Sequence, residues 1–211
     1  MKRILAIGAH FDDVELAVGG TLNKLHKQGK EVFKLTLTDN VTLSKNLTLN
    51  IDYLSSKKCS AQACKILGVN ELKNEKIVKC SLLFYSKEYM QFIEDIIFQK
   101  KIDTVFLHYD DDLNQDHIAA SQLCKTAARH CKNIIMFNSN FYLSSRIFSP
   151  NFFVDITNEI ENKKKSLDCY DKAHNRFNKL FDLTYKRNQI WGYSAGCEYA
   201  EGFLPIKLYD E

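Results

Sequence analysis

The stretch ILAIGAHFDDVELAVGGT near the N-terminus constrains the fold more than any other segment. It opens with the apolar run Ile4–Ile7, which is short and β-branched enough to form a buried parallel strand. Beyond the glycine that ends the run, six positions hold one histidine and three carboxylates: His10, Asp12, Asp13 and Glu15. Apolar residues then recur at helical spacing. The stretch therefore predicts a buried strand that passes into a helix through a loop rich in ligand atoms.

Each of these polar residues also has an ordinary structural interpretation. Asp12 or Asp13 would serve as a helix N-cap, and His10 as a hydrogen-bonded loop histidine. One cap needs only one carboxylate, however, and buried carboxylates without a compensating charge cost several kcal/mol each. Ligands of open α/β sheets bind at the carboxyl ends of the strands. A divalent cation at this loop is therefore the simpler explanation of the whole cluster.

A second stretch repeats the arrangement. The apolar run Ile102–Leu107 is followed by His108 and by an acidic segment that ends at His117, after which apolar residues again recur at helical spacing. His10 and Asp13 beyond one strand, with His117 beyond another, form a His, Asp, His set. Three protein ligands with water in the fourth position are the usual composition of a catalytic zinc site.

Both stretches resemble the motifs of one enzyme family. AHFDDVE with its following GGT resembles the AHPDDxE…GGT signature of the PIG-L/LmbE-type zinc deacetylases, and DLNQDH resembles their second metal motif. Further matches follow in the family's order in TLTDN, KILGV, FVDITNEIENKKKSLDCY and GCEYAEGF, so the resemblance spans nearly the whole chain. It implies a Zn²⁺-dependent hydrolase that removes the acetyl group from an N-acetylglucosamine-like sugar or a conjugate of one. On this resemblance His10, Asp13 and His117 are the zinc ligands, and Asp12 is the general base.

The chain departs from the family pattern at three places. Phe11 replaces a proline, which loosens the loop without removing a ligand. Ser56 and Cys59 fall where many members carry an arginine and a glutamate, and that arginine is associated with substrate recognition. Asn114 replaces a histidine that acts as general acid. The identities of the amino sugar and of the acid therefore stay open.

Two further residues complete the predicted site. His108 ends its strand at the same edge as His117, and its imidazole would be partly protonated near neutral pH, so it is the candidate for the acid. A purely structural role, as a hydrogen-bond partner of the acidic run Asp110–Asp112, is the alternative. Asp116 is expected to orient His117, as carboxylates commonly do for metal-bound imidazoles.

The order of elements predicts an α/β, Rossmann-like three-layer sandwich with a mostly parallel sheet and a C-terminal helical and strand extension. Residues 1–211 are expected to form a single domain. After the first strand and helix, the pattern predicts strands at Glu31–Thr38, Lys76–Phe84, Ile102–His108, Asn133–Phe137 and Phe203–Leu208. It predicts helices at Tyr53–Leu67, Lys87–Lys100, Gln115–Cys131, Asn158–Tyr170 and Lys172–Tyr185. The segments Val41–Ile51 and Phe141–Ile156 are expected to be irregular, the second with a hairpin as the alternative.

Charge and composition limit the kinds of partner that the protein is expected to bind. The net charge of +3 is too small to require a nucleic-acid partner, and no apolar run is long enough to span a bilayer. Nothing resembles a signal peptide, so the cytoplasm is the expected compartment. Seven cysteines without a C-x-x-C pair are expected to be mostly buried and reduced, and none is assigned to the metal. The expected partner is a small N-acetylated sugar or sugar conjugate, and a homo-oligomer stays open.

One other class of function fits an acidic loop after a first parallel strand. A receiver-like signalling domain binds magnesium there and switches by phosphorylation, without being an enzyme. The two histidines are softer ligands than magnesium prefers, and no lysine ends the fifth strand convincingly. A dinucleotide site is excluded because Gly19-Gly20 lies inside the predicted helix and does not form G-x-G-x-x-G. Close packing of that helix against a strand is the better interpretation of the two glycines.

Overall fold

Strands and helices alternate through most of the chain. The computed structural model describes residues 1–44, 49–174 and 179–209. The elements are β1 (Arg3–Gly8), α1 (Asp13–Lys27), β2 (Glu31–Thr36), β3 (Thr42–Ser44), β4 (Leu49–Ile51), α2 (Tyr53–Leu67), β5 (Asn70–Glu71), α3 (Lys87–Gln99), β6 (Thr104–His108), α4 (Gln115–Ala127), β7 (Asn133–Phe137), β8 (Phe152–Asp155), α5 (Ile160–His174), α6 (Lys179–Ala195) and β9 (Ala200–Lys207).

A seven-stranded sheet runs through the described residues in the order β5-β2-β1-β6-β7-β9-β8. The first five strands in this order are parallel, and β9 runs antiparallel to both of its neighbours. The mostly parallel α/β sandwich with a C-terminal extension is confirmed. After β1 the chain builds β2 on one side and later β6 on the other, so β1 and β6 flank the crevice in which such sheets bind ligands.

Side chains of β1 alternate between two layers of helices. Leu5 and Ile7 pack in a cluster with apolar residues of α3 and α4, whereas Ile4 and Ala6 pack with α1 and the end of α2. All four are fully buried. Burial on both faces is typical of a central parallel strand and explains why the run is continuously apolar.

The glycine pair of α1 is explained by close packing at one position. A Cβ atom on Gly20 would lie 2.8–2.9 Å from side-chain atoms of Ile156, just beyond β8. A Cβ atom on Gly19 would meet nothing closer than 3.5 Å, the distance to Leu67 Cδ1. Packing against the end of β8 therefore requires glycine at position 20 and not at position 19.

The predicted strand Lys76–Phe84 is wrong. The edge next to β2 is instead the two-residue strand β5, and Val78 makes only an isolated parallel bridge to Thr38. Ser81 adopts a positive φ of 67°, which a strand does not allow. The amides of Ser81 and Leu83 donate to the Asp116 carboxylate at 2.7 and 3.2 Å. The side chain of Asp116 is therefore the acceptor for these amides, in place of the backbone carbonyls of a neighbouring strand.

Several boundaries also differ from the predictions. The segment Val41–Ile51 contains the antiparallel pair β3 and β4, although residues 45–48 lie outside the described residues. The segment Phe141–Ile156 contains β8, which pairs with β9. The predicted helix Lys172–Tyr185 includes residues 175–178, which are likewise not described, and its described parts belong to α5 and α6. Within the described ranges, no helix is both long and apolar enough to cross a bilayer.

Candidate metal centre

The two predicted ligand loops lie side by side. β1 and β6 are hydrogen-bonded neighbours, with Ile4 opposite Thr104 and Ala6 opposite Phe106. The loop from β1 into α1 and the start of α4, which follows β6, therefore meet at the same edge of the sheet. This adjacency is the condition under which His117 reaches the residues that follow β1.

Three donor groups converge at this edge. His10 Nδ1 lies 3.2 Å from His117 Nε2. Asp13 contacts both rings, with Oδ2 3.3 Å from His10 Nδ1 and Oδ1 3.3 Å from His117 Nε2. Because the ligand atoms of His10, Asp13 and His117 all lie within 4.8 Å of one another, these residues form a group that could hold one metal ion.

The spacing and chemistry of this set fit zinc. Ligand atoms at the usual zinc distances, arranged tetrahedrally, are separated by about 3.3 Å. The three contacts of 3.2, 3.3 and 3.3 Å match that value. Two imidazoles and one carboxylate are also ligands that zinc accepts readily, whereas magnesium prefers oxygen alone.

Each histidine of the set is oriented by a different carboxylate. His117 Nδ1 lies 2.9 Å from Asp112 Oδ2, and the Asn140 amide donates to both oxygens of Asp112 at 2.9 and 2.8 Å. His10 Nε2 lies 3.1 Å from Asp116 Oδ2. The expectation that Asp116 orients His117 is therefore wrong. Asp116 precedes His117 on the first turn of α4, and its side chain reaches His10 instead.

Burial and charge shift the pKa values of the set in the metal-free protein. Burial alone would lower the pKa of His117, but the Asp13 and Asp112 carboxylates outweigh it and raise that pKa to about 9. The pKa of His10 is raised against the same burial effect by Asp116 and Asp13. The pKa of Asp13 is lowered, despite burial, chiefly by the charge of His117. When no metal is bound, the raised pKa values of His10 and His117 therefore favour their protonated forms.

His108 packs against one member of the set, His117. Its side chain is 1% exposed, and its ring stacks on His117 with centroids 4.2 Å apart. The Ala9 amide lies 3.0 Å from its Nε2 atom, and Asp13 Oδ2 lies 3.2 Å from the same atom. Burial, followed by the charge of His117, lowers the pKa of His108 to about 4. A neutral, enclosed imidazole of this kind is poorly suited to deliver a proton at neutral pH.

Asp12 precedes the first residue of α1. It is 2% exposed, and its side chain makes no capping hydrogen bond to the helix amides. The alternative that Asp12 serves only as an N-cap therefore has no support in the geometry. Its neighbour Asp13 turns back, accepting a hydrogen bond from the His10 amide at 2.7 Å.

A cleft of about 270 Å³ opens onto the set. One part of its wall is polar and contains the set itself, Asn114, Ser139 and Asn140; the other is apolar or aromatic and contains Leu16, Phe141, Tyr142, Leu180 and Leu183. Asn114 caps α4, accepting from the Asp116 amide at 2.9 Å. Its amide has no acidic proton to give, so it does not replace the histidine of the family pattern.

Three residues of the site were not predicted. Ser139 donates to Asp13 Oδ1 at 2.9 Å, and Asn140 holds Asp112. Asp112 could have been anticipated, since it lies five residues before a predicted ligand in an acidic run and metal-bound histidines commonly have a carboxylate partner. Ser139 and Asn140 follow β7 without any local motif, and only the position of β7 beside β6 brings them to the site.

Comparisons of the sequence with known proteins match one family and one curated relative. The profile of the family described as PIG-L, GlcNAc-PI de-N-acetylase, matches residues 5–128. The uncharacterized deacetylase YaiS of Escherichia coli (strain K12) is 27% identical over 164 residues, which cover 75% of this chain and 84% of that protein.

Solved structures share the fold at low identity. The N,N'-diacetylchitobiose deacetylase of Pyrococcus horikoshii aligns with a TM-score of 0.80 and 20% identity, over 97% of this chain and 84% of that chain. The 4-carboxy-2-hydroxymuconate hydratase GalB of Pseudomonas putida aligns with a TM-score of 0.79 and 16% identity, over 100% of this chain and 98% of that chain. The fold alone therefore does not distinguish a deacetylase from a hydratase.

Proposed function

We propose, because the chain belongs to the PIG-L family of de-N-acetylases, that it removes the N-acetyl group from an amino sugar or amino-sugar conjugate by zinc-dependent hydrolysis. The observation that carries the proposal is the convergence of His10 Nδ1, His117 Nε2 and the Asp13 carboxylate at contacts of 3.2–3.3 Å. These three residues would hold the ion, and Asp112 and Asp116 would fix the orientation of the two rings.

Zinc held there would supply a Lewis acid that polarises the acetyl carbonyl and lowers the pKa of water to about 7. Asp12 accepts the proton of the attacking water as the new C–O bond forms at the acetyl carbon. The C–N bond then breaks, and Asp12 returns a proton to the leaving nitrogen, so acetate and a free amine are released. Using Asp12 in both directions follows from Asn114, which lacks an acidic proton, and from His108, whose ring is buried and neutral.

The alternative, a receiver-like magnesium switch, predicts different metal binding. Its site would bind magnesium weakly through oxygen atoms, whereas two imidazole nitrogens favour zinc. Titration of metal-free protein with each ion separates the two: stoichiometric zinc binding supports the hydrolase, and weak magnesium binding without zinc binding supports the switch.

The activity is tested by incubating zinc-loaded protein with a panel of N-acetylated sugars, glycosides and nucleotide sugars and measuring amine release. Metal-free protein and the Asp12→Asn variant serve as controls for contaminating hydrolases. Release of amine by the loaded wild type alone supports the proposal. No release from any panel member by fully loaded protein would contradict it.

A further inference from the structure

A buried lysine reaches the loop between the first proposed ligand and the proposed base. Lys34 lies on β2, is 0% exposed, and donates from Nζ to the backbone oxygen of Phe11 at 2.6 Å. The same ammonium lies 2.7 and 2.9 Å from the two oxygens of Glu15 and 2.9 Å from Ser60 Oγ. Three ammonium protons thus have three kinds of buried acceptor: a backbone carbonyl, a carboxylate and a hydroxyl.

Tyr170 of α5 contacts the same carbonyl. Its hydroxyl donates to the Phe11 oxygen at 2.7 Å, and this side chain is also 0% exposed. Since a carbonyl oxygen has two lone pairs, Lys34 and Tyr170 together use its full capacity. They approach from a strand and from a helix that are 136 residues apart in sequence, which fixes the Phe11–Asp12 peptide group from two directions.

The orientation of this peptide group affects the two residues on either side of Phe11, the proposed ligand His10 and the proposed base Asp12. Phe11 joins His10 to Asp12, so a rotation of the peptide would move either the ligand or the base. Proline at this position would restrict φ by itself, whereas phenylalanine does not. The Phe11 side chain packs among Leu16, Ala63 and Leu167, whereas its carbonyl is held by the hydrogen bonds from Lys34 and Tyr170.

We propose that Lys34 and Tyr170 are positioning residues for the metal centre: their hydrogen bonds to the Phe11 carbonyl set the relative placement of His10 and Asp12. This inference rests on the proposed function, since it assigns the two residues to the zinc loop. Glu15 completes the arrangement, because its carboxylate balances the buried charge of Lys34.

The decisive comparison is between Tyr170→Phe and Tyr89→Phe. Tyr89 is also a buried tyrosine whose hydroxyl donates to a backbone carbonyl, that of Leu37 at 2.8 Å, outside the loop from His10 to Asp13. Both variants lose a buried hydroxyl and should unfold at lower denaturant concentration. Only Tyr170→Phe should weaken zinc binding, by about fivefold, which corresponds to one ordinary hydrogen bond. It should also accelerate amide hydrogen exchange at His10, whose N–H lies within the loop.

Zinc affinity is measured by chelator competition without substrate, which separates this inference from the catalytic proposal. Unaltered zinc affinity and exchange in Tyr170→Phe, or equal changes in both variants, would overturn the positioning role. A wild type that binds no zinc would overturn it as well. A wild type that binds zinc but releases no amine would count against the proposed activity alone.

Lys34 is tested by a double variant. Lys34→Met alone leaves the Glu15 carboxylate buried without its partner, and the protein would be expected to unfold. Lys34→Met with Glu15→Gln removes both charges and keeps similar volumes. The folded double variant should bind zinc more weakly than the wild type. Full affinity would overturn the role of Lys34.

Discussion

His10 Nδ1 and His117 Nε2 face each other at 3.2 Å, although His10 lies in the loop after β1 and His117 on α4, 107 residues later in sequence. At this distance two imidazole nitrogens either share a proton or accept a common cation. The carboxylate of Asp13 has one oxygen 3.3 Å from each nitrogen, and its negative charge would stabilise either a shared proton or a shared cation. The metal-free and metal-loaded proteins should therefore differ mainly in whether a proton or a metal ion lies between His10, Asp13 and His117.

Loss of one histidine should remove the metal. His117→Ala deletes one of three proposed ligands, and the remaining pair should bind zinc at least about 100-fold more weakly, beyond the usual effect of losing an orienting partner. The bound zinc is measured by elemental analysis after dialysis at neutral pH. His130→Ala, at an exposed position, is the matched control and should keep its zinc. Full occupancy in His117→Ala would contradict the ligand assignment.

The carboxylate behind His117 should tune zinc affinity without being a ligand. Asp112→Asn keeps the shape of the side chain but weakens the contact that orients the His117 ring, so zinc affinity should fall about 10–100-fold. Asp111→Asn is the control, since the neighbouring Asp111 carboxylate contacts Ser145 instead. If both variants bind zinc as the wild type does, the orienting role of Asp112 is wrong.

The sequence predicted the central part of this architecture because the relevant signals are local. A continuous apolar run, a glycine and a cluster of acids identify β1, its loop and α1, and the same pattern identifies β6 and α4. The pairing of His10 with Asp116 could not be deduced in the same way. It depends on how the first turn of α4 packs against the loop that follows β1.

The incorrect prediction of a strand at Lys76–Phe84 has the same cause, a contact between residues that are distant in sequence. Its composition suits a strand, but two of its amides bind the Asp116 side chain, a contact between residues more than thirty positions apart. Periodicity reports which residues prefer an extended, half-buried backbone. It does not report which acceptor a backbone amide will meet.

The two glycines of α1 should respond in opposite directions to alanine. Gly20→Ala places a methyl group 2.8 Å from Ile156 Cδ1, so it should destabilise the protein by about 1–3 kcal/mol through overpacking. Gly19→Ala meets Leu67 at an ordinary 3.5 Å, so the better helix propensity of alanine should stabilise by up to about 1 kcal/mol. Urea unfolding of both variants checks the pair. Equal stabilisation would contradict the close contact with Ile156.

Zinc affinity should rise with pH. In the metal-free protein the pKa of His117 is raised from 6.5 to about 9, so its contribution to folding stability is complete below pH 6.5 and is lost as the pH rises through 9. Zinc must displace that proton, and its apparent affinity should therefore increase across the same interval and level off above it. Chelator competition at a series of pH values measures this, and proton release on binding gives an independent check. An affinity independent of pH would contradict the protonated metal-free state.

Asp12 is the residue on which the proposed chemistry depends most directly. Asp12→Asn retains the size of the side chain but cannot accept a proton, so kcat should fall about 10²–10⁴-fold, the usual range for loss of a general base. Zinc content should be unchanged, because the ligand set comprises His10, Asp13 and His117. Folding stability of the same variant is measured by urea unfolding. Three measurements on one variant thus separate three roles: lost zinc would make Asp12 a ligand, lost stability with intact activity would make it a structural residue, and lost activity alone would identify it as the base.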